Sequence, residues 1–336
     1  MDSLTHIALG ACMGEAFAGK KLGRKAMVWG MIAQSFPDID FIAASWLNTP
    51  SALLAHRGFT HSILFAVIVA LIMAILANRW HRPHNISFTR WMFFFSAAIL
   101  AHIFIDAFNN YGVGWFEPFS HYRISFNAIY VADPFFSAAP GIALIMLLIL
   151  KRQNERRHSW WKFGLFISSV YLCYCLINKT IINYKVKQEL AQQHISYTRY
   201  FTTPAPLQNW LWFVVAGNDS NYYVGYKSVF DKTNNLSLEK FARNTFLIDS
   251  MKNKKEVQQL IRFSQQFYTI EKKQDTLIFN DLRFGQIIGW QNPKEEFDFH
   301  FYLYPAIDNT LVVQRGRFAK WNWQVVKTLG KRIAGD

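Results

Sequence analysis

Apolar and polar residues alternate along this chain in two different ways, and the pattern changes near residue 180. Before that point, long apolar stretches are separated by short polar loops, as in helices that lie in a membrane. Several stretches are shorter than the ~20 residues that a perpendicular crossing needs, and the first two are the weakest. They predict an all-α polytopic membrane domain of about five to six hydrophobic helices over residues 1–180. The apolar stretches are residues 5–18, 26–47, 62–78, 91–109, 134–150 and 161–178.

Residues 181–336 contain short segments in which apolar and polar side chains alternate. Such alternation is typical of strands that bury one face. Apolar residues at helical spacing also predict one helix at about 251–268. We therefore expect a soluble α+β domain of unknown role, in which His300 is merely an exposed strand residue. The predicted strands are NYYVGYKSVF (221–230), TLIFNDLRF (276–284) and EFDFHFYLY (296–304).

The basic residues predict an orientation. The chain has 36 Lys and Arg against 22 Asp and Glu, and in its first half the basic residues cluster at the ends of apolar stretches, which disfavours nucleic-acid binding. Loops 20–25, 79–90 and 151–162 hold twelve of them, whereas the alternate loops hold only Arg57 and Arg123. Because basic loops tend to face the cytoplasm, we expect a multi-pass protein of the bacterial inner membrane with an extracytoplasmic C-terminal domain.

Ionisable side chains interrupt the apolar stretches at five positions, and the segment HRGFTHS (56–62) adds two histidines just before the third stretch. Inside a bilayer such groups are costly, so they mark a functional site by default. The candidate metal ligands are His6, Asp38, Asp40, His56, His61, His102 and Asp106.

Counting along the helices places these side chains at one depth. His6 and Asp38 are 14 and 13 residues from the first basic loop, which corresponds to about 20 Å at 1.5 Å per helical residue. His61 and Asp106 are 18 and 16 residues from the second basic loop, which corresponds to roughly 24–27 Å. We therefore expect four segments to meet near the outer membrane surface.

Two local patterns fit a shared site. His102 and Asp106 are spaced i, i+4 on one helix face, so they are either metal ligands or a structural hydrogen-bonded pair. Asp38 and Asp40 would point apart in a continuous helix. The residue before Pro37 is biased out of the helix, however, and a break there lets both carboxylates turn toward one site.

Imidazole and carboxylate groups without a thiolate fit zinc or manganese better than copper(I) or an iron–sulfur cluster. Zinc is the first expectation, and the number of candidate ligands suggests more than one ion. His121 and Asp133 stay open as further ligands, with loop hydrogen bonding and helix capping as the alternatives. The cysteines are expected to be small buried hydrophobes, since all lie in apolar stretches: Cys12, Cys173 and Cys175.

At these residues the chain resembles the YdjM-like family of membrane-bound metal-dependent hydrolases. The resemblance covers roughly residues 1–178 and implies a hydrolase. That family is more distantly similar to zinc-dependent phospholipase C, whose H-x-x-x-D pair of zinc ligands His102 and Asp106 match, and this similarity implies a phosphate ester substrate. The matching segments are LTHIALG with His6, PDID (37–40), HRGFTHS (56–62), HIFID (102–106), NNYGVGWFEPFSHYRIS (109–125) and ADP (132–134).

Together these features predict a metal-dependent hydrolase of a phosphate ester in a lipid or lipid-linked substrate, at the outer membrane–water boundary. No serine or cysteine there stands in an obvious nucleophile motif, so metal-activated water is the expected attacker. Arg57 and Arg123 are candidates for binding phosphate. Either Asp38 or Asp40 is a candidate general base instead of a ligand.

Two functions of other classes stay open. A transporter or channel would use the His/Asp cluster to relay ions or protons, but it would need polar residues at mid-membrane and on both sides. A membrane anchor would present residues 181–336 to a protein partner, with a purely structural metal. No motif in those residues identifies such a partner.

Overall fold

The computed structural model describes residues 1–81, 86–233, 235–304, 318 and 320–335. The chain forms two compact units. One consists of Met1–Ser45 and Ala55–Cys175, and the other consists of Trp46–Leu54 and Leu176–Asp336. The predicted domain boundary at residue 180 falls inside the helix Arg156–Gln192 and stays a prediction.

In the described part of residues 1–192, helices are joined by short turns and by one longer non-helical segment, residues 107–133. Two 3₁₀ helices, Pro37–Ser45 and Phe59–His61, interrupt the longer helices. The α-helices are α1 (Ser3–Leu22), α2 (Arg24–Ser35), α3 (Thr49–Ala55), α4 (Ile63–Trp80), α5 (Phe88–Asp106), α6 (Pro134–Ile149) and α7 (Arg156–Gln192).

Within the described part of the chain, α4, α5 and α7 are long and apolar enough to cross a membrane, and α6 is a shorter apolar helix. Apolar helices followed by a soluble region are therefore confirmed, whereas the count of five to six crossings is not. The second apolar stretch of the sequence forms no single long helix, because α2 ends at Ser35 and the chain continues as a 3₁₀ helix from Pro37.

Helices α1 and α2 pack antiparallel through glycines. Gly10 and Gly30 are so close that a Cβ on either would overlap the carbonyl oxygen of the other. One turn further along both helices, a Cβ at Gly14 would overlap the carbonyl oxygen of Ala26. Small residues let helix backbones approach this closely, as they do in membrane helix pairs. In the resulting register, a residue of α1 lies opposite the residue of α2 for which the two numbers add to 40, as for Gly10 and Gly30.

Helices α4 and α5 share the main core of the first unit. The buried residues of α4 are mostly alanines at helical spacing, and α5 supplies large aromatic side chains to the same core. This combination of small and large side chains fills the space between closely spaced helices. The residues involved are Ala66, Ala70, Ala74 and Ala77 with Trp91, Phe94 and Phe95.

The second unit contains two antiparallel sheets, with strand orders β1-β2-β3-β4 and β5-β6-β7. Strand β2 is buried on both faces: Trp212 and Val214 pack with Ile182 and Val186 of α7, whereas Phe213 belongs to the core on the other face. The elements are β1 (Arg199–Pro204), β2 (Leu211–Gly217), β3 (Asn221–Ser228), β4 (Leu238–Ala242), a 3₁₀ helix (Thr245–Met251), α8 (Lys255–Phe263), β5 (Tyr268–Lys273), β6 (Thr276–Gln286), β7 (Phe297–Tyr304) and α9 (Trp323–Ala334).

The three strands predicted from alternation are confirmed as β3, β6 and β7. The helix predicted at about 251–268 is confirmed in part, because α8 ends at Phe263. Gln265 and Gln266 adopt left-handed backbone conformations, which end the helix before β5 begins. The remaining strands and α9 were not among the predicted elements. Strand β2 shows one reason: its sequence, LWFVVAG, is buried throughout and contains no polar side chain, so there is no alternation to detect.

Candidate metal centre

Four of the candidate ligands come together at helix ends. Asp38 follows α2, His61 precedes α4, and His102 and Asp106 lie in the last two turns of α5. Each offers one ligand atom, and these atoms all lie within 4.8 Å of one another. A His/Asp group that can hold a metal ion is therefore present, and its four members come from three segments of the chain.

Two imidazole nitrogens of this group face the same two carboxylates. Nε2 of His61 lies 3.5 Å from Oδ1 of Asp38 and 3.4 Å from Oδ2 of Asp106. Nε2 of His102 lies 3.5 Å and 3.7 Å from the same two oxygens. Asp106 Oδ2 is buried and has no hydrogen-bond partner among the described residues. A cation between the four atoms would satisfy this oxygen, so the residues fit a metal.

Asp40 contacts His61 at Nδ1, the ring nitrogen opposite the Nε2 that faces Asp38 and Asp106. Its Oδ2 lies 3.2 Å from Nδ1 of His61 and accepts hydrogen bonds from the Arg57 N–H at 2.8 Å and the Thr60 hydroxyl at 2.7 Å. Its Oδ1 lies 2.9 Å from Nδ1 of His56. Burial disfavours the charged carboxylate, but the hydrogen bonds to His56 and His61 outweigh it and keep the pKa of Asp40 well below its usual range. A proton on Nδ1 leaves Nε2 of His61 free to bind a metal.

Gln34 positions two further rings. Its side-chain oxygen lies 3.1 Å from Nδ1 of His6, and its backbone carbonyl accepts a hydrogen bond of 2.5 Å from Nδ1 of His102. Its amide nitrogen donates to the carbonyl of Ala98 at 2.8 Å, which fixes the orientation of the amide. The Gln34 carbonyl thus leaves Nε2 of His102 as an acceptor that points toward the carboxylates.

The second oxygen of Asp106 has its own partners. Oδ1 lies 3.2 Å from Nε2 of His6 and also contacts the α-amino group of Met1. The rings of His6 and His102 are tilted by 31° to each other, with centroids 3.8 Å apart. Asp106 therefore connects the four-residue group to His6, which lies outside that group.

Arg57 lies beside the group in a left-handed backbone conformation with φ of 59°. This conformation is uncommon for a residue with a side chain and marks local strain. The hydrogen bond from its N–H to Asp40 stabilises it. Its guanidinium donates to Asn109 Oδ1 at 2.7 Å, lies over the Tyr111 ring, and has Nε 3.3 Å from Asp106 Oδ2. Arg57 thus places a buried positive charge next to the candidate ligands.

The remaining candidates lie outside the four-residue group. Arg123 donates to the backbone carbonyls of His56 and Gly112 at 2.7 and 3.1 Å. His121 is exposed, and its Nδ1 lies 2.9 Å from Oε1 of Glu117. Asp133 caps α6 and accepts a hydrogen bond from the hydroxyl of Tyr171. The ligand roles of Asp40 and His56, like the catalytic roles of Asp38, Arg57 and Arg123, stay predictions.

Sequence reasoning missed Gln34 and Asn109, both of which are fully buried. Gln34 is the one polar side chain between Met27 and Ser35 of an otherwise apolar stretch, and this interruption could have singled it out. Asn109 follows the last turn of α5 and offers no comparable signal. Its role depends on a contact with Arg57, 52 residues earlier in the chain.

Comparisons with known proteins find similarity in the part of the chain that contains the His/Asp group. A family model described as YdjM inner membrane protein matches residues 1–182. The inner membrane protein YbcI of Escherichia coli (strain K12) is 31% identical over 122 residues, which cover 36% of this chain and 69% of YbcI. The uncharacterized protein YfhP of Bacillus subtilis (strain 168) is 26% identical over 170 residues, covering 45% of this chain and 51% of YfhP. No solved structure matches the chain.

The region matched by the family model contains every member of the His/Asp group and all of the apolar helices α4 to α6. It also covers more than half of the 336 residues. This chain therefore belongs to the YdjM family of inner membrane proteins.

Proposed function

We propose that this inner membrane protein is a metal-dependent hydrolase that cleaves a phosphate ester in a lipid or lipid-linked substrate. Its main support is the convergence of Asp38, His61, His102 and Asp106 within 4.8 Å at the ends of apolar helices. These four residues would hold a divalent ion, which would supply activation of water and of a phosphoryl oxygen. Zinc fits the donor set best and manganese comes second, since the group contains imidazole and carboxylate but no thiolate.

The chain's own residues would hold the ligands in place. Asp40 fixes the ring of His61, and the backbone of Gln34 fixes the ring of His102, so that both Nε2 atoms face one point. Such outer partners determine which ring nitrogen carries the proton and how the ring is oriented. Asp40 is therefore better suited to positioning His61 than to binding the ion itself.

The arrangement around Asp106 favours more than one ion. Its Oδ2 faces His61 and His102, whereas its Oδ1 faces His6. His6 and Asp106 would be the residues that hold a second ion, which would supply a further positive charge to a phosphoryl group.

Access to the group is possible from the side of Asp38. Its side chain is 16% exposed, whereas the side chains of His61, His102 and Asp106 are fully buried. Phe41, which lies in the same 3₁₀ helix as Asp38, is a large aromatic residue that is 67% exposed. Aromatic side chains of this kind are enriched where lipid meets water, which supports a lipid or lipid-linked substrate.

The charge of Arg57 suits a phosphate ester. Its guanidinium is already held by Asn109 and lies next to Asp106, so it would face a bound phosphoryl group without reorganising. Arg123 binds two backbone carbonyls of the same loops, which supports a structural role more than a contact with phosphate. The basic loops of the sequence would place this site on the extracytoplasmic side.

An ion or proton relay fits the structure less well. The buried face of α5 is apolar from Trp91 to Ile99 and becomes polar only at His102 and Asp106. A relay through the membrane would need polar groups along such a path. The polar site instead occupies one end of the helix, as expected for a reaction at a surface.

The test is an activity panel with the full-length protein in detergent. Phospholipids, isoprenoid phosphates, soluble phosphodiesters, a peptide and an amide would be supplied with zinc, with manganese, or with a chelator. We expect metal-dependent release of a phosphate or alcohol product from one class, lost in His102→Ala and retained in Asp133→Asn. Hydrolysis of a peptide or amide alone would overturn the phosphate ester, and metal-loaded protein inactive on every class would contradict the hydrolase.

A further inference from the structure

A second polar feature of the first unit lies at the other ends of its helices, where α1 ends and α5 and α7 begin. A cavity of about 810 Å³ opens there. Its lining includes two acidic side chains, Glu15 and Glu155, and five basic ones: Lys20, Lys21, Arg90, Arg152 and Arg157.

Two of the five basic side chains form the fixed wall of the cavity. Arg157 is buried and holds Glu15 through two hydrogen bonds of 2.8 and 2.6 Å. Arg152 donates to the backbone carbonyls of Lys20 and Lys21 in the last turn of α1. Helix C-termini leave such carbonyls without partners, so these arginines complete the helix ends and keep the cavity rigid.

Lys20 and Arg90 differ from the two arginines of the wall in their exposure and in their partners. Both are exposed, and no ion pair joins either of them to a carboxylate within the described part of the chain. The guanidinium of Arg90 lies 5.6 Å from the ring of Phe17, which also lines the cavity. Arg157 neutralises Glu15, and the other four basic side chains outnumber the one remaining acidic side chain, Glu155, so the cavity keeps a net positive charge.

The positive charge suits an anion, and the position of the cavity indicates which kind of anion would bind there. Arg90 and Arg157 lie in the first turns of α5 and α7, two helices that can cross a membrane, and Trp161 of α7 lines the same cavity. The end of a membrane helix lies at the level of the lipid headgroups. Basic pockets between such helices bind the phosphate of anionic lipids, and arginine suits phosphate oxygens geometrically.

We propose that this cavity binds the phosphate of an anionic phospholipid headgroup through Lys20 and Arg90, against the wall formed by Arg152 and Arg157. The site is separate from the His/Asp group and does not depend on the proposed hydrolysis. It would anchor the ends of α1, α5 and α7 to one lipid. Free phosphate has the same chemistry, so the test must distinguish the two sources.

The test compares two double variants of the full-length protein in detergent. Lys20→Gln/Arg90→Gln removes the two cavity charges, whereas Arg79→Gln/Arg156→Gln removes two exposed basic residues of neighbouring helix ends that do not line the cavity. The probes are dioctanoyl phosphatidylglycerol, dioctanoyl phosphatidylcholine and inorganic phosphate. Binding is measured by native mass spectrometry, and circular dichroism verifies folding.

We expect phosphatidylglycerol to bind at least tenfold more tightly than phosphatidylcholine. Its affinity should fall about 30-fold in the cavity variant, which corresponds to roughly 1 kcal/mol for each lost charge, and should change little in the control variant. An equal loss in both variants, or none in the cavity variant, would overturn the site. Inorganic phosphate binding as tightly as phosphatidylglycerol would support the phosphate site but overturn the lipid as its source.

Discussion

The Nε2 atoms of His61 and His102 lie 3.1 Å apart and point at each other across the centre of the His/Asp group. Nδ1 of His102 donates to the Gln34 carbonyl, and Nδ1 of His61 faces the carboxylate of Asp40. Two neutral imidazoles held in this way would direct two lone pairs at one point, which is unfavourable without a cation between them. The metal content of the purified protein therefore tests this arrangement of the two nitrogens.

Purified wild-type protein should contain zinc or manganese, and His102→Ala should lose most of it because one of four donors disappears. Elemental analysis of both proteins gives the comparison. Asp133→Asn is the matched control, since Asp133 is also a buried carboxylate but caps α6, and asparagine is an equally good cap. Full retention of metal in a double variant lacking both His102 and Asp106 would exclude this pair as ligands.

Replacing Asp40 by asparagine should weaken metal binding without abolishing it. The substitution removes the charge that fixes His61, and loss of such an outer partner typically costs about 10–100-fold in metal affinity. Competition with a chromogenic chelator measures the change. Asp38→Asn should have the larger effect, because Asp38 faces both Nε2 atoms directly. The reverse order would assign the ligand role to Asp40 and the positioning role to Asp38.

Arg57→Ala should retain metal while turnover of the phosphate ester falls by about 10²-fold, as for deletion of one donor that stabilises transition-state charge. The measurement pairs elemental analysis with steady-state kinetics on the substrate found in the activity panel. Arg57→Lys keeps the charge and should lie between wild type and Arg57→Ala. If Arg57→Ala loses its metal instead, the contact of Arg57 with Asp106 is structural and its catalytic role is wrong.

Gly30→Ala should destabilise the protein and disturb the site, although Gly30 is not itself a candidate ligand. Its new methyl group would overlap the carbonyl of Gly10, one turn from the pair formed by His6 and Gln34. Overpacking of this kind costs about 1–3 kcal/mol. Thermal unfolding and metal content are measured together. Gly141→Ala in α6 is the control, because a Cβ there meets nothing within 4 Å and should leave both unchanged or raise stability slightly.

A reporter that is active only in the cytoplasm should stay silent when fused after residue 336, because the basic loops predict an extracytoplasmic C-terminal domain. The same reporter fused after Arg152, in a predicted cytoplasmic loop, should be active and serves as the control. Activity of the C-terminal fusion would reverse the orientation. It would also move the proposed site to the cytoplasmic side of the membrane.

The sequence by itself determined the features that depend on short-range geometry. Apolar stretches indicated the long helices, and the i, i+4 spacing placed His102 and Asp106 on one face because an α-helix has 3.6 residues per turn. Pro37 indicated the end of α2, and counting from the basic loops predicted that the ends of separate helices meet, as those that carry Asp38, His61 and Asp106 do. The strands β3, β6 and β7 were found because their sequences alternate, whereas β2 was missed because its residues are apolar on both faces.

Only the tertiary structure decided which candidates share a point in space. The neighbouring carboxylates Asp38 and Asp40 approach His61 from opposite ring nitrogens, and sequence spacing cannot distinguish these two positions. The contact of His6 with Gln34 depends on the glycine register between α1 and α2, which is fixed by how closely two backbones can pack. Contacts between distant segments follow from such packing, and for that reason the partners of each ligand could not be derived from periodicity alone.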